Sequence, residues 1–375
     1  MKPETKLSPV LFIRPAFLLL LALILHILGY FPRAVENWYS TGVYKGISAT
    51  LRVLTKWAPF SIGDCLYILF IISTIAALIR SIIRLNREGW GSQLLVVMGL
   101  NLLSKILWIY IVFRLLWGLN YDRLGISYQL KLSKKGYQTE DVIQLSNRLI
   151  DSLNACRKRL PDTLLPQPSL DSIFRMAGIG YACARDTYSF LNYSHRSIKP
   201  SLFTDLADWM GFTGYYNPFT GEAQVRTDVP KLVLPFVACH EIAHQLGYAS
   251  ESEANMVGLI AALASDDPFF RYSAYNDMFS YAQGEELYLL AMDKDSTGFQ
   301  LAIHSNRERM DTLVRKDRKE VREFFRKRQH KNSATLNNLY DQYLRINNQE
   351  AGLKSYNEVI GWFIAYLKKQ EKAGE

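Results

Sequence analysis

The chain has 375 residues, with 44 Lys+Arg against 35 Asp+Glu, 49% apolar and 21% charged residues, which excludes a disordered or low-complexity protein. Its net charge of +9 lies almost wholly in residues 1–120, which hold 12 Lys+Arg against 4 Asp+Glu, a net of +8. Residues 121–375 therefore lack the clustered positive charge that a nucleic-acid surface requires, and no nucleic-acid partner is expected.

Residues 1–120 read as a membrane domain with three transmembrane helices, at about residues 15–31, 62–79 and 94–119. The first stretch, Pro15 to Phe31, carries no charge. Pro32, Arg33, Ala34 and Val35 follow it, so no A-x-A-like cleavage site is present and a retained anchor is favoured over a removed signal peptide. The second stretch has one acid, Asp64, near its start and runs into Arg80, Arg84 and Arg87. The third carries Lys105 and Arg114, which must snorkel or face a protein interior. Lys2, Lys6 and Arg14 before the first span, and the three arginines after the second, both fit the cytoplasmic side of a plasma or inner membrane. Three spans then put residues 121–375 outside the cytoplasm. Arg33, Lys45, Arg52 and Lys56 in the first loop weigh against this, and with Trp38, Tyr39, Tyr44 and Trp57 that loop reads as an interfacial segment. Four cysteines are too few for a disulfide scaffold; Cys156 and Cys183 either pair in an oxidising compartment or are two buried thiols.

Beyond residue 120, helical spacing of Val142, Ile143, Leu145, Leu149, Ile150 and Leu153 predicts a helix with Thr139 as N-cap. A break at Pro161, Pro166 and Pro168 precedes a second helix over roughly Leu170–Leu191. Residues 196–230 are punctuated by Pro and Gly, and Glu222, Ala223, Gln224, Val225 and Arg226 could form a short strand there. From Val233 onward the pattern is helical, with mixed charges from Arg315 to Lys331 suited to a solvated helix. The fold class is mainly α with a small β element.

The segment that carries chemistry is Val237-Ala238-Cys239-His240-Glu241-Ile242-Ala243-His244-Gln245-Leu246-Gly247. His240 and His244 are one helical turn apart, so their imidazoles can converge on one Zn²⁺ at Zn–N ~2.0–2.1 Å. Glu241 reaches the same mouth from one side, where it serves as a base rather than a ligand. The alternative is a pair of ordinary core histidines, but two buried imidazoles and a buried carboxylate would then need partners. A catalytic zinc needs a third ligand, and Glu251 offers it just past the Gly247 turn, with Asn255 four residues on to hydrogen-bond a ligand imidazole. Glu253 is the alternative third ligand; otherwise it points toward solvent or a basic partner. A third histidine in the HExxHxxGxxH pattern is excluded, because that position is Ser250.

HEIAHQ-LG followed by E-x-E-A-N resembles the gluzincin metallopeptidases, whose third ligand is a Glu on a following helix with Asp or Asn four residues later. Asn255 stands where Asp is commoner, which removes a negative charge and lowers ligand basicity. Four further strings resemble a membrane-bound HExxH family, the domain of unknown function 3810: PFSIGDCLY (Pro59–Tyr67), LWGLNYDR (Leu116–Arg123), YYNPFTGEAQV (Tyr215–Val225) and YDQYLRINNQEAGLKSY (Tyr340–Tyr356). The resemblance implies a multispan N-terminus followed by a zincin-like domain over residues 121–375. His240, His244 and Glu251 are its implied ligands and Glu241 its implied base. In zincins an edge strand before the metal helix pairs with extended substrate; Glu222–Arg226 is the candidate, the other reading being a plain structural strand. A transition-state donor is sought among His304, Tyr340, Tyr343 and Tyr356, with Tyr356 preferred.

The expected function is a membrane-anchored zinc metallopeptidase that hydrolyses peptide or protein substrate through a zinc-bound water activated by Glu241. Two rivals stay open: a zinc-stabilised membrane scaffold without turnover, and a zinc hydrolase of non-peptide amide or ester bonds. Natural substrate, endo- or exo-cleavage and oligomeric state are not legible.

Overall fold

The structure is a computed structural model that describes residues 8–132, 136–328 and 358–374. The chain begins with α1 (Val10–Leu28) and enters a continuous helical run of α2 (Pro32–Ala34), a π-helical stretch (Val35–Val43) and α3 (Tyr44–Thr55). Two long helices follow, α4 (Ile62–Glu88) and α5 (Ser92–Leu116), and then the short α6 (Gly125–Gln129). Of these, α1, α4 and α5 are long and apolar enough to cross a membrane. α1 and α5 start and stop two to five residues earlier than expected, whereas α4 begins where expected and outlasts its apolar run. α4 continues through Arg80, Arg84 and Arg87 and stops at Gly89, whose φ of +82° suits a residue just past a helix C-terminus.

α1 packs on α5 through Leu18, Ala22, Leu107 and Ile111. Arg114 turns inward, its Nη2 donating to Asp122 Oδ2 at 2.5 Å and to the Leu25 carbonyl at 3.3 Å, whereas Lys105 is exposed. The first loop departs from its interfacial reading. Trp38 and Trp57 are exposed, but Tyr39 and Tyr44 are buried in a cluster with Val35, Trp117, Leu119, Tyr216 and Ala249. Residues on both sides of position 120 build that cluster.

The large helical body contains α7 (Thr139–Lys158), α8 (Leu170–Thr187), β1 (Ile198–Pro200), α9 (Ala207–Met210), β2 (Gly214–Asn217), β3 (Glu222–Val225), α10 (Leu234–Gln245) and α11 (Glu251–Ala264). It continues with α12 (Pro268–Met292), α13 (Ser296–Arg309), α14 (Thr312–Arg328) and α15 (Glu358–Gly374). The N-cap of α7 is Gln138 rather than Thr139, because Gln138 and Asp141 form a reciprocal capping box and the Thr139 hydroxyl is directed to Asp293. One core joins α7, α8, α10, α11, α12 and α15, with Leu149, Ile150, Phe174, Tyr181, Ile242, Met256, Phe279 and Phe363 all buried. All four cysteines are free thiols. Cys156 is buried as expected of a thiol, but Cys183 is exposed, since the inner face of α8 is taken by Ala177, Tyr181 and Ala184.

The three strands form one sheet in the order β1-β3-β2, with β1 parallel and β2 antiparallel to β3. Residues Glu222–Val225 are therefore the central strand, buried throughout and hydrogen-bonded on both sides. The expected edge strand at Glu222–Arg226 is corrected: its backbone has no free edge to offer a substrate, and β2 is the outer strand beside it.

Candidate metal centre

α10 is buried on nearly every side, and His240 alone among its residues is partly open. Its last carbonyls would be orphaned inside the protein without partners from elsewhere. The His244 carbonyl accepts from Trp117 Nε1 (3.3 Å) and Tyr44 OH (3.4 Å), and the Gln245 carbonyl from Ser48 Oγ (2.5 Å) and Arg52 Nη1 (3.2 Å). Arg52 also places positive charge at the negative end of the helix dipole. The Gln245 side chain is saturated, donating to the Ser197 and Gly221 carbonyls and accepting from Tyr193 OH. α10 is thus clamped by α3, the end of α5 and the sheet.

Gly247, at φ +88°, turns the chain into α11. α11 lies so close to α10 that a Cβ on Gly258 would come within 3.0 Å of the His240 backbone nitrogen. That approach carries Glu251 to the histidines. Glu251 Oε2 lies 3.1 Å from His240 Nε2 and 3.8 Å from His244 Nε2, and the three ligand atoms all fall within 4.8 Å of one another. Ligand atoms on a tetrahedral zinc with bonds of ~2.0–2.1 Å stand roughly 3.3 Å apart, so small side-chain motions would bring this triangle to the dimensions a zinc site needs.

The other ring nitrogens are already committed. His240 Nδ1 lies 2.8 Å from Asn255 Oδ1 and His244 Nδ1 lies 2.7 Å from the Tyr248 carbonyl, so both rings present Nε2 to the centre. Glu241 is buried, and its Oε2 has no hydrogen-bond partner among the described residues. Burial pushes its carboxyl up to about 7, with His240 and His244 pulling the other way. Desolvation lowers the His240 imidazole, but Glu251 and Glu241 more than offset it and bring it up to about 9. Burial would also raise Glu251, yet the two imidazoles hold it well below the carboxylate range. Two imidazole nitrogens, one carboxylate and an orphaned acid fit zinc.

Glu253 is elsewhere. It is buried and accepts from Ile126 N at 2.7 Å, near Arg123 rather than solvent, so it stands outside the triangle. The residues of β3 are also committed: Glu222 accepts from the Ile62 and Gly63 N–H groups at the start of α4, and Arg226 pairs with Asp208 and Asp228. Ala223 and Val225 are core, and Gln224 lies against Ser61. His304 is exposed on α13, and no described contact joins it to the centre. Tyr340, Tyr343 and Tyr356 lie outside the described residues. Three groups had no sequence signal because they arrive by long-range packing. Asp277 and Tyr281, one turn apart on α12, face the site: burial raises Asp277 to about 6 against the pull of His240, and burial with the charges of Asp277 and Glu251 raises Tyr281. The third is Gly214 at the head of β2, where a Cβ would stand 2.5 Å from Glu241 Oε1.

A family described as "Protein of unknown function (DUF3810)" matches residues 39–364. The chain belongs to this family. The DUF3810 match takes in α3, the sheet, α10, α11 and α12, and so every residue that builds the triangle or clamps its helix. Comparisons with curated proteins and with solved structures gave no match. Asn255 holds the His240 ring through Nδ1, so if the triangle takes zinc, Asn255→Ala in this DUF3810 protein should weaken its binding about 10–100-fold. Competition against a chelator of known affinity measures it, and unchanged affinity would exclude the orienting role.

Proposed function

We propose that this DUF3810 protein is a membrane-anchored zinc metallopeptidase of zincin-like arrangement. The observation that carries the reading is the convergence of His240, His244 and Glu251 beside a buried Glu241 whose Oε2 has no described partner. A purely structural site would favour four protein ligands and has no use for a desolvated acid at its mouth, which weighs against a silent scaffold. α1, α4 and α5 cross the bilayer in this reading. Arg14 and the Arg80, Arg84, Arg87 cluster lie at the helix ends away from the site, which supports a cytoplasmic N-terminus and an extracytoplasmic large body.

Zinc held by the three ligands supplies a Lewis acid for a carbonyl oxygen and acidifies water at neutral pH. Glu241 takes the proton of the attacking water at Oε2 and returns it to the leaving nitrogen. Its desolvated carboxylate is a stronger base than one in water, which suits that transfer. Extended substrate is accommodated along β2, which has no second strand partner among the described residues and whose Gly214 abuts Glu241. That edge favours peptide over other amides or esters.

The test is a cleavage screen of quenched peptides with zinc-loaded protein in detergent. Glu241→Gln should retain zinc and lose about 10²–10⁴ in rate. Equal turnover by wild type and Glu241→Gln would refute the assignment. Gly214→Ala should likewise leave zinc in place while lowering kcat, because its methyl group occupies the space of the Glu241 carboxylate. An unaltered kcat there would show that Glu241 works from another position.

A further inference from the structure

Just ahead of β2 the chain exposes apolar side chains that the metal site does not use. Leu202, Leu206 and Met210 are 49%, 50% and 56% exposed on the outer side of a run that is a turn at Leu202, a 3-10 helix over Thr204–Leu206 and α9 from Ala207. The opposite side is anchored: Ala207 is buried, Asp208 pairs with Arg226 at 2.5 Å, and Ser201 Oγ lies 2.8 Å from Tyr215 OH. The segment is held with its apolar side outward.

Its height relative to the bilayer follows from one carboxylate. Asp64, in the first turn of α4, accepts from the Leu202 backbone N–H at 2.8 Å and from Tyr215 OH at 2.7 Å. The segment is therefore tied to the point where a membrane-crossing helix begins. Phe60 and Trp57, exposed just before that helix, and Tyr30 and Phe31, exposed just after α1, mark the same level, as interfacial aromatics do. The candidate site is pinned there too. Trp117, the residue after α5, donates to the carbonyl of the ligand His244, while Gly214 touches Glu241 within the strand that holds Tyr215 against Asp64.

We propose that the Leu202–Met210 segment docks into the bilayer surface beside the start of α4, so that the site works on polypeptide presented at the membrane rather than free in solution. This rests on the reading of α4 as a span and, for the word polypeptide, on the peptidase reading. An apolar face continuous with a span end is covered by lipid at the depth of the headgroup–acyl boundary. A substrate bond reaches Glu241 only if it lies close to that surface.

The experiment uses the full chain in phosphatidylcholine vesicles, with Cys65→Ser and Cys183→Ser removing the less buried thiols. An environment-sensitive fluorophore is placed by Leu206→Cys or Met210→Cys, by Leu69→Cys within α4, or by Asp266→Cys beyond the far end of α11. Lipids carrying a shallow nitroxide should quench positions 206 and 210, deep nitroxides should quench 69, and neither should quench 266. Quenching at 69 without quenching at 206 and 210 overturns the docking. No quenching at 69 overturns it as well, by removing the span on which it depends. A fluorescence shift at 206 and 210 that lipid nitroxides leave untouched, and that grows with protein density, assigns the face to a second copy and also overturns it. For the substrate class, one peptide set is offered with and without a lipid anchor. Wild type should cleave the anchored form about tenfold faster through its higher effective concentration, and Leu206→Asp/Met210→Asp should lose that advantage with its zinc intact. Equal rates in wild type overturn the substrate class. Absence of all cleavage with zinc bound counts against the peptidase reading, while the docking is decided by the quenching alone.

Discussion

Wild-type protein purified in detergent should contain about one zinc per chain, and His244→Ala and Glu251→Ala essentially none. A site with three protein ligands keeps only two after either substitution, and the pair left behind sits in a pocket shaped for three. Glu253→Ala is the informative companion. Its carboxylate accepts the Ile126 N–H and fills the space against Gly125, where a Cβ would overlap it, so it cannot swing to His240 without breaking that contact. Glu253→Ala should therefore keep its zinc while losing stability. Metal analysis by mass spectrometry after exhaustive dialysis, with and without prior chelation, reads all four proteins. Zinc retained in Glu251→Ala and lost in Glu253→Ala would transfer the third ligand to Glu253. No zinc in wild type after zinc is supplied would end the metallohydrolase reading altogether.

The convergence of His240, His244 and Glu251 was legible because its determinants are local. His240 and His244 are one turn apart, Gly247 ends the helix, and Glu251 opens the next one, so spacing alone places three donors near one point. The apolar helices were legible for the same reason, as composition within a single segment. Strand order was not. The alternation of Glu222–Val225 says that a strand exists but not that it sits between β1 and β2, since pairing is decided by residues far apart in sequence. Glu222–Arg226 read as a candidate substrate-pairing strand, whereas the side-chain partners of Glu222 are the N–H groups of Ile62 and Gly63. Tyr44 and Arg52 read as part of an interfacial segment because the carbonyls they cap, at His244 and Gln245, are nowhere near in sequence. Asp277 and Tyr281 carry no motif and reach the centre only because α12 packs against it.

Glu36→Ala should destabilise the protein by about 3–5 kcal/mol, the usual cost of leaving one partner of a buried ion pair alone. Glu36 lies in the π-helical stretch, and its side chain and that of Arg123 are 2% and 3% exposed. The carboxylate receives Arg123 Nε at 2.9 Å and Nη2 at 2.8 Å, together with Gln129 Nε2 at 2.8 Å. Burial alone would raise its carboxyl, but the guanidinium and the Gly125 N–H bring it below the usual carboxylate range. Removing Glu36 strands a guanidinium that also stacks on Tyr248 and donates to the Gly247 carbonyl at 2.9 Å. That carbonyl belongs to the turn between His244 and Glu251, so the stability loss should come with weaker zinc binding. Chemical unfolding of metal-free protein separates the two effects, since the ion-pair contribution persists without zinc. A double variant, Glu36→Met/Arg123→Leu, should recover part of the stability, because it removes both charges from the interior instead of one. It should not recover the zinc affinity, because the donor to Gly247 is still missing. Full recovery of both would show that Arg123 acts on the site only by filling space.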